Sequence, residues 1–172
     1  EQIVRDTRIA CLYEGTTEIQ ALDLLGRKVL QTQGELLKKF TRIIHKFCEA
    51  HAAQAGMDEF VAPLQSLNKT WSDLTMDIGM KALMNRDEVG GSAVDYLYFS
   101  GYVTLAYIWA WMAETASRRL SENPEQADFY HAKVQTAQFY YRKLLPRAQA
   151  HLACIQGGLV VVQQMPVAAF AF

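Results

Sequence analysis

The stretch Tyr96–Ala113, YLYFSGYVTLAYIWAWMA, carries no charged residue, and its reading decides between a membrane span and the core of a helical bundle. A spanning helix needs about 20 consecutive apolar residues. This run is borderline in length, is interrupted by Ser100, Gly101 and Thr104, and is closed by Asp95 and Glu114. No polybasic flank sets an orientation. We read it as the most buried helix of a soluble bundle. A membrane-facing role for the same helix is the alternative.

Apolar residues on both sides of this run recur at helical spacing, and glycine and proline are sparse. Leu22, Leu25 and Val29 form one stripe, with Thr17 and Gln20 spaced as a capping box at its start. Gly34 is expected to interrupt or bend that helix. Leu36, Leu37, Phe40, Ile43, Ile44, Phe47 and Cys48 continue the pattern to about His51. Asp58 is a plausible N-cap for a third helix, about Glu59 to Met84, with Pro63 near its first turn. Leu64, Leu67, Trp71, Leu74, Ile78 and Met84 give that helix its core face. Asn85–Ser92, NRDEVGGS, reads as a loop. The uncharged helix ends near Leu120. A fifth helix starts near Pro124, is kinked or ended by Pro146, and resumes from Arg147 until Gly157 and Gly158. The tail from Leu159 suits either a short helix or an extended strap. The expected fold is all-α: an antiparallel bundle of about four long helices behind a short helical remnant.

Composition agrees with a packed core. Hydrophobic residues make up 51% and charged residues 20%, which argues against disorder. The net charge of -1 gives no electrostatic footprint for nucleic acid. Three cysteines without a C-x-x-C pair suggest neither a disulfide framework nor a zinc site, and fit a reducing, cytoplasmic setting. EQIVRDTRIA has no apolar core, so no signal peptide is expected. It also lacks an initiator Met, from which a longer parent protein is expected.

Few constellations carry chemistry. His45, His51, His131 and His151 show no helical i,i+3 or i,i+4 pairing, so no metal is expected and each reads as a surface or capping residue. Cys48 lies on an apolar face and reads as a buried structural thiol. Gly90–Gly91 lacks the strand–loop–helix context of a phosphate loop. Arg142, Lys143 and Arg147 suit an acidic partner or a CoA phosphate, with a solvated helix face as the simpler reading. Tyr96, Tyr98, Phe99, Tyr102, Tyr107, Trp109 and Trp111 suit an acyl tunnel or an interface, with core packing preferred for each.

One stretch remains: Arg5–Gln20, RDTRIACLYEGTTEIQ. Read plainly, Gly15 is a turn, Thr16 or Thr17 caps a helix, and Glu14 is a solvated loop acid. A second reading is chemical. A carboxylate fixed ahead of a helix and desolvated by a partner domain rises in pKa and can act as a base. The following amides can then hold a phosphate or another anionic group.

This stretch resembles the signature near the end of the acyl-CoA dehydrogenase catalytic core. The matching residues are Arg5, Asp6, Arg8, Ile9, Tyr13, Glu14, Gly15, Thr16, Ile19 and Gln20. ALDLLGRK, Ala21–Lys28, resembles the larger bacterial subgroup that carries an extra C-terminal helical domain, as do FYHAKVQTAQFYYRKLLPR and the Phe-Ala-Phe ending at Phe170–Phe172. The resemblance implies residues 1–33 as the end of the catalytic helical domain and 34–172 as the additional bundle.

It also implies a chemistry. Glu14 would be the base that takes the α-proton of an acyl-CoA. Tyr13 and Gly15 would lie beside the thioester. Thr16, Thr17 and Glu18 would touch FAD, with Glu18 departing from the small residue common in the subgroup. The product would be a trans-2-enoyl-CoA, as in fatty acid β-oxidation, with electrons passing to electron-transferring flavoprotein and a homo-oligomer expected. Methylthiopropanoyl-CoA is an alternative substrate. The isolated chain, lacking most flavin and acyl-CoA contacts, is expected to be inactive. Outside the enzyme reading stand a helical interaction module without catalysis and peripheral membrane docking. Nucleic acid is not an expected partner.

Overall fold

The computed structural model describes residues 1–11, 16–122 and 124–170. Its elements are helical throughout, and no strand occurs among the described residues. In chain order they are α1 (Gln2–Arg8), α2 (Thr17–Leu22), α3 (Glu35–His51), α4 (Asp58–Met84), α5 (Asp87–Glu122), α6 (Ala127–Phe139), α7 (Ala148–Gly157) and α8 (Val160–Gln163). No described helix is long and apolar enough to cross a membrane.

α5 is the post of the fold. Its 36 residues pack against α2, α4, α6 and α7. The uncharged run supplies Tyr96, Phe99 and Val103, all fully buried, and then a row of small residues, Ala106, Ala110 and Ala113. Small side chains let neighbouring backbones come close. Tyr140 donates its hydroxyl to the Tyr102 carbonyl at 2.8 Å and Tyr141 to the Ala106 carbonyl at 2.9 Å. Burial pushes both phenols well above their ordinary range, so they remain donors. The other aromatics of the run divide. Tyr98 and Trp111 are about half exposed, so they are not core residues, because they lie off the stripe that faces the neighbouring helices.

The remaining helices present faces at the expected spacing. In α3, Leu37, Thr41, Ile44 and Cys48 are buried, whereas Leu36 and Ile43 fall on the exposed edge of the stripe. In α4, Phe60, Leu64, Leu67, Trp71, Leu74 and Ile78 form a seam at alternating steps of four and three. Met84 does not belong to that seam and is 91% exposed. Six residues beyond Ile78, it is rotated about 240° off the buried face. Thr75 links α4 to α5 through a 2.7 Å hydrogen bond with the Tyr96 hydroxyl. Glu59 binds Arg142 at 2.7 Å and also accepts from Gln138, tying α4 to the segment of α6 and its continuation. Burial opposes ionisation of Glu59, but these two bonds and the Arg142 charge hold its carboxyl below the ordinary range.

Turns show where sequence reading slipped. The expected loop Asn85–Ser92 is only a break at Asn85–Arg86, and α5 already runs from Asp87. The Asn85 side-chain oxygen accepts from the Asp87 amide at 3.1 Å, which starts the helix. Gly91 is not a turn residue: a Cβ there would stand 2.7 Å from Leu159 Cδ1, so its role is close packing under the tail. Asp58 is the first helical residue rather than the cap; Met57 flanks it, and Asp58 and Glu59 complement the helix dipole instead. Gly34, at φ 75°, ends the second helix and opens α3. That second helix continues from α2 as a π-helix over Asp23–Leu30, and Leu25 and Val29 enter the common core with Ala21. Around Pro146 the α6 helix passes through a π turn, Tyr140–Leu144, and a 3-10 turn, Leu145–Arg147, before α7. The tail is a short helix, α8, pinned by Gln163, which accepts from Asn85 and donates to Asp87, both at 3.0 Å.

Two expected outcomes follow from this packing. Ile44→Ala loses about 2–5 kcal/mol in denaturant unfolding, whereas the adjacent Ile43→Ala, on an exposed edge, stays within about 0.5 kcal/mol. Similar losses at both positions would contradict the assigned face. Cys48 is 1% exposed, and burial raises its thiol from 9.0 to about 11. The unfolded chain therefore releases this proton first. The stabilisation is complete below pH 9.0 and fades as pH rises toward about 11. At pH 8, mass spectrometry of an alkylated sample should find exposed Cys154 modified and Cys48 intact until the protein unfolds. Equal labelling would show that Cys48 is accessible.

Candidate functional site

Of the residues singled out by sequence, Thr16, Thr17 and Glu18 lie at the start of α2. Glu14, Tyr13 and Gly15 lie outside the described residues. Thr16 flanks the helix and has φ 65° and ψ 112°, backbone that a β-branched residue rarely adopts. The first helical hydrogen bond runs from the Gln20 amide to the Thr16 carbonyl at 3.1 Å. Thr17 is the first residue of the helix rather than the cap of the expected Thr17–Gln20 box, and Thr16, which does flank the helix, makes no side-chain cap bond. Thr16 and Glu18 are exposed, and Glu18 sits in the first turn beside the positive end of the helix. Hydroxyl, carboxylate and first-turn amides therefore share one solvent-facing corner.

That corner is bordered by apolar side chains without protein cover. α2 turns Ala21 into the bundle, while Ile19 and Leu22 are 62% and 46% exposed. Apart from this corner, α1 buries none of its residues, and its Ile3 and Val4 are largely exposed. An amphipathic helix normally turns such residues inward. Here one face of α2 is anchored on α5, and the opposite face presents polar groups next to bare apolar ones.

Several of the other chemistry-bearing groups are engaged structurally. Among the described residues no three His, Cys, Asp or Glu side chains form a metal cluster. Arg142, the first of the basic trio, is held by Glu59. His45 lies 3.3 Å from Glu49, and His51 contacts Gln54 at 2.6 Å. His151 departs from the expected surface role. It is three-quarters buried, meets Asp95 at 2.8 Å, and stacks on Tyr98 and Tyr102 with ring centroids at 5.1 and 5.7 Å. Sequence reasoning missed this α5–α7 contact because its partners lie 56 positions apart and no local spacing marks them.

Comparison with known proteins accounts for the bundle. The family model described as acetyl-CoA dehydrogenase C-terminal like matches residues 40–166, most of the chain. The chain is 29% identical over 169 residues to 3-methylmercaptopropionyl-CoA dehydrogenase of Ruegeria pomeroyi, covering 87% of this chain and 25% of that protein. It is 27% identical over 172 residues to a butyryl-CoA dehydrogenase of Syntrophomonas wolfei, covering 98% and 28%. The broad-specificity linear acyl-CoA dehydrogenase FadE5 of Mycobacterium tuberculosis is 26% identical over 155 residues, with coverage of 85% and 25%. The chain spans about a quarter of the length of these relatives. With its all-helical architecture and a family match across most of its length, the chain belongs to the acetyl-CoA dehydrogenase C-terminal-like family, the C-terminal helical part of acyl-CoA dehydrogenase-like proteins.

Proposed function

We propose that the chain is the C-terminal part of an FAD-dependent acyl-CoA dehydrogenase, with Glu14 as the base that removes the α-proton of an acyl-CoA thioester. The observation that carries this reading is the breadth of the likeness: the match to the Syntrophomonas butyryl-CoA dehydrogenase covers 98% of the chain, too much to leave out Arg5–Gln20. In this reading residues 1–33 close the catalytic domain and 34–172 form the added bundle. The apolar side chains of Ile19 and Leu22 are then part of the surface on which the rest of the catalytic domain rests. Burying them also desolvates the corner, raising the pKa of a carboxylate there toward a working base.

The roles of the other residues follow from chemistry. An α-proton is weakly acidic, so the thioester carbonyl must be polarised as charge develops on its oxygen. In this reading the backbone amide of Glu14 would donate to that oxygen, and Tyr13 and Gly15 would flank the thioester. The donor set at the α2 start suits a flavin nucleotide: the Thr16 and Thr17 hydroxyls and first-turn amides suit phosphate oxygens, and the Glu18 carboxylate can only accept, from a hydroxyl or N–H of the nucleotide. FAD, when bound, supplies the acceptor for the β-hydrogen, which leaves as hydride. Loss of the two hydrogens would yield the trans-2-enoyl-CoA, with electron-transferring flavoprotein as the proposed electron acceptor. These 172 residues hold too few contacts to bind flavin or turn over substrate alone. The setting is cytoplasmic fatty acid β-oxidation in a homo-oligomeric enzyme.

The Ruegeria relative favours a second substrate within the same mechanism, a methylthiopropanoyl-CoA. The chemistry at the α-carbon is unchanged; only the pocket for the acyl tail differs.

The test is Glu14→Gln in the complete polypeptide. The variant should remain yellow with bound flavin while butyryl-CoA turnover falls by at least about a hundredfold, the usual contribution of a positioned base. A flavin-loaded variant with normal rates would exclude Glu14 as the base.

A further inference from the structure

We propose that the groove between α5 and α6 binds a fatty carboxylate, a single apolar chain with an anionic head, at a site separate from the α2 corner. Ile108, Trp111 and Met112 of α5 face Phe129 and Tyr130 of α6 across a groove of about 340 Å³. That volume lies within the range of small-molecule sites, which are mostly apolar with a few placed polar groups. Trp111 and Phe129 are 53% and 55% exposed, so two large rings stand open as walls. Apolar surface of this kind on a bundle normally meets an apolar ligand or partner.

Charge selects the ligand class. Among the described residues lining the groove, Lys133 is the only charged one and none is a carboxylate. Its ammonium lies 5.1 Å from the Phe129 ring centre and makes no ion pair among the described residues. Most other lysines and arginines near this end are paired: Arg118 meets Glu114 and Glu122, and Arg119 meets Glu122. An unpaired, partly desolvated cation above an aromatic floor attracts an anion strongly. Ile108 and Thr115 stand about 10 Å apart along α5 at 1.5 Å per residue, a length that suits a medium acyl chain. A carboxylate on Lys133 with its chain laid between the two rings satisfies the cation and covers the walls together.

The experiment uses the complete polypeptide and two probes below their micelle concentrations, decanoate and decanol, in calorimetric titrations. Decanoate should saturate a site that Lys133→Gln weakens about tenfold, the equivalent of 1.4 kcal/mol, while decanol binding is unchanged by that substitution. Trp111→Ala should weaken both probes. Both side chains are partly exposed, so the folds should survive; if Trp111→Ala fails to fold, the decanoate–decanol contrast in Lys133→Gln decides alone. Decanoate binding that is indifferent to Lys133→Gln overturns the proposal, as does the absence of saturable binding. Capture of phosphatidylcholine vesicles through these residues without binding of monomeric decanoate would assign the groove to a membrane surface and also overturn it.

Discussion

The close approach of helices to the small-residue row of α5 is the constraint on which the rest depends. A helix of 36 residues extends about 54 Å at 1.5 Å per residue, too long to be covered by any one neighbour. Four elements, α2, α4, α6 and α7, share the task. Tyr140 and Tyr141 reach across to the carbonyls of α5 only because no bulky side chain separates the backbones. A tyrosine hydroxyl buried without a partner would cost about 1–3 kcal/mol. Packing and hydrogen bonding are therefore satisfied by the same geometry. Bulk in that row would push away both the apolar contact and the acceptor.

The same post links the bundle to the candidate catalytic corner. α2 and its π-helical continuation lodge Ala21, Leu25 and Val29 in the core that also holds Phe60, Tyr96 and Ile155. Whatever rests against Ile19 and Leu22 is thereby held at a fixed position relative to α5. In the proposed enzyme this rigidity matters because a base works only within hydrogen-bond reach of the proton it takes. The bundle adds no reacting group in this account. It holds one end of the helix that follows the base.

Much of the fold was legible in the sequence because helical period and burial coincide. The α4 seam and the α3 stripe appear in the spacing of their apolar residues. Met84 and Asn85–Ser92 show where this ends. Met84 is apolar but rotated off the seam, and spacing with drift does not reveal when the rotation is too large. Gly90 and Gly91 read as turn residues, yet the close contact of Leu159 with Gly91 requires the absence of a side chain inside a helix. Contacts set by tertiary approach, such as His151 with Asp95, leave no local mark. The candidate site was legible in another way: a short motif carried it, while spacing alone left Glu14 as a loop acid. The difference is physical. Whether a carboxylate is solvated or a base depends on what covers it, and in the proposed enzyme the covering surface comes from outside these residues.

The central claim concerns proton removal, so the most direct measurement follows the α-proton itself. An acyl-CoA analogue that cannot release its β-hydrogen is incubated with the complete polypeptide in deuterated water, and NMR records exchange at the α-carbon. The account predicts exchange with the natural protein and its loss in Glu14→Gln with flavin still bound. Exchange at the same rate in both would contradict it.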